Sequence, residues 1–182
     1  MSTLIIHPDD VTTNFLKPIY SSIKDKTVIT GGITTNQLIR EIENHERVMM
    51  MGHGSPSGLL SVGKFKNYYG MYIIDEETVP YLSGKKDSVF IWCYADCFVN
   101  KHQLNGIYSG MFVSEVSEAI ACGLSNVTQQ QVTESNDSFG KVMGDCIGQG
   151  KNQTYQTLRR SYGTLAKDNP VVKYNHDRLY IC

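Results

Sequence analysis

The stretch Arg47-Val48-Met49-Met50-Met51-Gly52-His53-Gly54 decides how the chain folds. Its unbroken apolar run fits a strand buried on both faces, the kind found in parallel sheets covered by helices on either side. The strand runs directly into the loop Gly52-His53-Gly54. A second run of the same kind, Ser88-Val89-Phe90-Ile91-Trp92, delivers Cys93 at its carboxyl end.

Working outward from these runs, strand-like and helix-like segments alternate, the pattern of a parallel α/β sheet. Residues 3–6 predict a first strand that stops at Pro8-Asp9-Asp10. A helix over 12–23 would gather Phe15, Leu16 and Ile19, with Pro18 delaying its start or kinking it. Residues 27–30 predict a strand ended by Gly31-Gly32, and Thr34 or Thr35 caps a helix with Leu38, Ile39 and Ile42 on its apolar face. Beyond His53, residues 59–74 predict a small antiparallel hairpin, with Tyr68, Tyr69 and Tyr72 packing on it or at its edge. A short helix is expected over 76–82. Gly110-Met111-Phe112-Val113 reads as a further strand, followed by helices through Val116–Ile120, over 126–148 and over 153–166. Either Val171-Val172 or residues 178–181 supply a last edge strand.

Bulk properties narrow the function classes. With 182 residues and no internal repeat or linker, the chain reads as a single domain over 1–182. A net charge of −1 gives no electrostatic reason to expect nucleic acid or an anionic membrane as partner. No segment approaches the roughly 20 consecutive apolar residues of a membrane-spanning helix, and the first residues do not read as a signal peptide. Five irregularly spaced cysteines argue against a disulfide framework and for a reducing compartment, so a cytoplasmic location is expected. Cys93, Cys97 and His102 lack a second ligand pair at zinc-binding spacing, so neither a metal nor a cofactor is expected.

The chemistry is expected at the carboxyl ends of the two buried strands, where open parallel sheets bind ligands. If the strands are neighbours, His53 and Cys93 share one cleft. An imidazolium beside a thiol favours the reactive thiolate, and the same ring can protonate a leaving amine. Gly54 allows close backbone approach, and its N–H with that of Cys93 would hold a developing oxyanion. Ser114 and Glu115 follow the candidate strand 110–113 and are candidates for substrate contact, as is Asp96. Cys97, four residues past the strand end, reads as ordinary packing. His7, His45, His102 and His176 lack clear partners and read as surface residues.

A hydrophobic strand ending in His-Gly, then a second ending in Cys, resembles the caspase-like cysteine peptidases (caspases, metacaspases, legumain, gingipains and clostripain). The segments Gly52–Leu60 and Ser88–Ala95 carry the resemblance. It implies a three-layer αβα sandwich around a mainly parallel sheet of about six strands, with a small hairpin after the His53 loop. It also implies hydrolysis of peptide or protein substrates through a Cys93–His53 dyad and an acyl-enzyme. Trp92 before the nucleophile, Ala95 in place of a glycine, and Ile91 where basic-specific members carry aspartate depart from the pattern. An inactive caspase-like module acting through protein–protein contacts therefore stands as the alternative, and a small metabolite-binding α/β protein as a third reading.

Overall fold

The computed structural model describes residues 1–65 and 70–182, and in it the buried runs pair as neighbouring strands. Strands β1 (Thr3–Ile6), β2 (Lys26–Ile29) and β3 (Arg47–Met51) come first. A small antiparallel sheet follows, made of β4 (Gly54–Ser55), β5 (Gly58–Leu60) and β6 (Tyr72–Ile74). Then come β7 (Ser88–Ile91), β8 (Gly106–Ser109) and β9 (Leu179–Ile181). The central sheet has the order β2-β1-β3-β7-β8-β9, and only β9 runs antiparallel.

The eight helices of the described residues are α1 (Lys17–Ser21), α2 (Thr35–Asn44), α3 (Val79–Leu82), α4 (Ala95–His102), α5 (Val116–Ala121), α6 (Gln129–Cys146), α7 (Lys151–Gly163) and α8 (Pro170–His176). The two-residue period of the strands sorts the core into two slabs. Leu4, Ile6, Val48, Met50, Phe90 and Trp92 pack under Leu38 and Ile42 of α2, Leu82 of α3 and Phe98 of α4. Ile5, Met49, Met51, Val89 and Ile91 pack with Ile19 of α1, Phe139 and Met143 of α6, and Leu158 of α7. The result is a three-layer αβα sandwich with a hairpin sheet beside it. Among the described residues no helix is long and apolar enough to cross a membrane.

Local rules account for most boundaries. Thr34 caps α2 in a reciprocal box with Gln37. The helix expected over 12–23 divides into a 3-10 segment, Val11–Leu16, and α1, with Pro18 in the first turn of α1, where its missing N–H costs nothing. Val171 and Val172 lie in α8, so the edge strand comes from the second candidate, at Leu179–Ile181.

One strand was displaced from its expected place. Residues 110–113 are not in the sheet; β8 lies just before them. Gly106 makes this possible, because a Cβ there would stand 2.2 Å from the Ser88 carbonyl oxygen. Val113 imitates a strand residue because Asn175 of α8 satisfies it on both sides. Val113 N–H donates to Asn175 Oδ1 at 2.8 Å, and Asn175 Nδ2 donates to the Val113 carbonyl at 2.8 Å.

Candidate functional site

Because β3 and β7 are hydrogen-bonded neighbours, their carboxyl ends bring His53 and Cys93 to one rim. Gly52 N–H donates to the Ile91 carbonyl at 3.0 Å, tying the two strand ends together. Both residues line a single narrow cleft, with Thr13, Phe15, Leu16, Gly52, Ile91, Trp92, Phe112 and Ser114. Its free volume is about 20 Å³, barely room for one water.

Strand alternation explains how Trp92 and Cys93 coexist. Trp92 turns toward α4, is 1% exposed, and packs edge-on against Phe90 and Phe98. Its indole N–H donates to the Ser55 carbonyl at 3.1 Å, seating the hairpin on the sheet. Cys93 takes the opposite face, toward Phe112. After it, Tyr94 adopts a left-handed conformation (φ 67°, ψ 29°), which turns the chain at once into α4. Such strain in a non-glycine residue accumulates at functional sites. Ala95 is fully buried against this turn.

The thiol and the imidazole are each bonded to other groups. Cys93 Sγ–H donates to the Phe112 carbonyl at 3.5 Å, and Phe112 in turn stacks on Phe15 (centroids 6.0 Å apart, planes 12° apart). Burial pushes the Cys93 thiol up to about 11, and the nearby Glu118 carboxylate adds to the shift. His53 Nε2 lies 2.7 Å from Thr12 Oγ1 and 3.8 Å from Asp10 Oδ1. Thr12 hydroxyl and N–H both donate to Asp10 Oδ1, at 2.5 and 2.8 Å. These bonds hold the Asp10 carboxyl below its ordinary range.

The other expected site residues separate. Ser114 lies in the cleft wall, where its N–H and hydroxyl donate to Glu118 Oε2 at 2.8 and 3.1 Å. Asn136 Nδ2 holds the Ser114 carbonyl at 3.0 Å. Glu115 is the N-cap of α5 and Asp96 sits in the first turn of α4; neither lines the cleft. Gly54 belongs to β4, and a Cβ there would stand 2.1 Å from Trp92 Cδ1, so packing against the indole requires glycine at this position. Cys97 is exposed in a separate, wider cavity of about 670 Å³, which Asp75, Glu76, Glu77, Lys101 and His102 also line.

Three histidines correct the surface assignment. His7 is 2% exposed between Tyr20 Oη (2.9 Å) and Thr13 Oγ1 (3.0 Å), and burial lowers it to about 4. His45 Nδ1 meets the Glu41 carbonyl at 2.7 Å, and His176 Nε2 meets the Arg159 carbonyl at 3.0 Å. Asp10, Thr12 and Glu118 went unnoticed in the sequence. The spacing Asp10-x-Thr12 signals an Asx cap, and nothing local reveals its reach to residue 53. Tyr68 and Tyr69 lie outside the described residues. Among the described residues no group of three or more His, Cys, Asp or Glu side chains is arranged to hold a metal ion.

Comparison with family models, with curated proteins and with solved structures gives no match for this chain.

Proposed function

We propose that the protein is a cysteine peptidase of the caspase-like kind, with Cys93 as nucleophile and His53 as its acid–base partner. One observation carries the reading: Cys93 and His53 line the same cleft beyond the carboxyl ends of adjacent parallel strands. In the reaction, Cys93 sulfur bonds to the carbonyl carbon of a peptide while its proton passes to His53. The imidazolium then protonates the departing amine as the carbon–nitrogen bond breaks. Water next displaces the thiolate from the thioester, giving a carboxylic acid and regenerating the free thiol. For this, Cys93 must leave the Phe112 carbonyl and turn to the imidazole, whose positive charge, once formed, favours the thiolate.

A second reading, a caspase-like module without activity that works through protein contacts, is favoured by the raised thiol and the 20 Å³ cleft. A thiol-directed acyl probe separates the two. The peptidase reading expects wild-type labelling that disappears in Cys93→Ala, drops about a hundredfold or more in His53→Ala, and persists in Cys97→Ala. An unlabelled wild type that still folds selects the silent module.

A further inference from the structure

The loop after β1 places a threonine hydroxyl between a carboxylate and the imidazole, and hydrogen-bond direction along that chain has one solution. An ionised carboxylate only accepts. Thr12 has one hydroxyl proton, and the 2.5 Å contact commits it to Asp10 Oδ1. Facing His53 Nε2 at 2.7 Å, the same oxygen has only lone pairs to offer, so Nε2 carries the proton and donates. Nδ1 is then the unprotonated nitrogen of the neutral ring.

Capping alone does not explain this arrangement. The 3-10 segment that Asp10 caps needs only the Thr12 N–H bond to the carboxylate, at 2.8 Å. The hydroxyl contact and the approach of His53, 41 residues away in the chain, are additional. A neighbouring brace keeps the segment in place: Thr13 donates to the Asp10 carbonyl at 3.1 Å and meets buried His7 at 3.0 Å.

We infer that Asp10 and Thr12 are a positioning pair that fixes the ring orientation of His53, with Nε2–H directed to Thr12 and Nδ1 left as the base. Their place in catalysis rests on the peptidase reading; the orientation of the ring does not. Neither residue touches the reacting atoms. Their effect is to present the correct nitrogen and to stabilise the imidazolium once it forms, because the proton on Nε2 already points down a chain ending in a negative charge.

Nitrogen-15 and proton spectra of His53 in the full chain test this, alongside the acylation rate of Cys93 by the thiol-directed probe across pH. In wild type, the Nε2 proton should be visible and slow to exchange. Thr12→Val, at an exposed position where folding is not at stake, should lose that slow exchange and lower the acylation rate three- to tenfold, one hydrogen bond's worth, without weakening probe binding. Thr12→Ser should restore both, and Asp10→Ala should move both in the same direction as Thr12→Val. A wild-type proton on Nδ1, or a Thr12→Val protein with unaltered exchange and pH profile, overturns the proposal. A protected Nε2 proton beside an inert Cys93 supports the ring assignment and overturns the peptidase reading instead.

Discussion

Cys93 and Cys97 are four residues apart and occupy opposite kinds of space. Cys93 sits in a cleft of about 20 Å³ with aromatic walls, whereas Cys97 opens into about 670 Å³ of space whose lining mixes Asp75, Glu76, Glu77 and Lys101 with Pro56 and Tyr72. The wall between them is aromatic: Trp92 packs on Phe98, whose ring lies 4.8 Å from that of His102. The larger cavity is the poorer candidate for thiol chemistry. Both thiols are pushed up by burial, and it is Cys93 that shares its cleft with the histidine supplied by the paired strand ends. Place in the sheet, more than room for a ligand, distinguishes the two thiols.

Removing the wall should have the largest effect. Trp92→Ala is expected to cost about 3–5 kcal/mol in urea unfolding, because it empties a buried indole site and removes the bond to the Ser55 carbonyl that seats the hairpin. It should also make the two cysteines react at similar rates; a retained difference would show that the wall does not set it.

Acid should act next, and on one side only. His7 braces Thr13, a wall residue of the narrow cleft. Its value of about 4 lies below the ordinary 6.5, so the unfolded chain takes up the proton between those two pH values. His7 therefore contributes no pH slope above 6.5, and between 6.5 and 4 its protonation favours the unfolded chain by up to roughly 3 kcal/mol. Unfolding curves for His7→Phe should lack that slope, and in wild type the ratio of Cys93 to Cys97 alkylation should rise on acidification. An unchanged slope in His7→Phe would place the acid sensitivity elsewhere.

Phe15→Ala removes the ring stacked on Phe112 and should raise Cys93 alkylation about tenfold, a barrier change of about 1.4 kcal/mol, with Cys97 unaffected. A Cys93 rate that does not move would show the aromatic stack to be no obstacle. Cys97→Ser, at the small end of the scale, should change stability by less than about 0.5 kcal/mol and leave Cys93 chemistry intact. A larger loss would assign the wide cavity a role it lacks in the present reading.

The sequence revealed what is carried by period and apolar run. Arg47–Met51 and Ser88–Ile91 are strands because burial on both faces leaves no polar alternation to confuse them, and their carboxyl ends lead into the two candidate residues His53 and Cys93. It concealed what depends on distant partners. Residues 110–113 imitate a strand because Asn175, 62 positions away, occupies the place of a neighbour. His7 gave no hint of burial because Tyr20 and Thr13 satisfy it only after folding. Trp92, a departure from the caspase-like pattern, turns out to face away from the cysteine it precedes, as strand alternation requires.

The clamp of Asn175 on Val113 has a mechanical consequence. A strand is attached along a line, by one bond after another, and can move only with its sheet. The segment bearing Phe112 and Ser114 is held instead by the packing of Phe112 and Val113 and by a few amide and carboxylate groups reaching over from helices. One side of the cleft is thus fastened at points, like a shutter on pins, and can be re-aimed without unzipping the ladder beneath it.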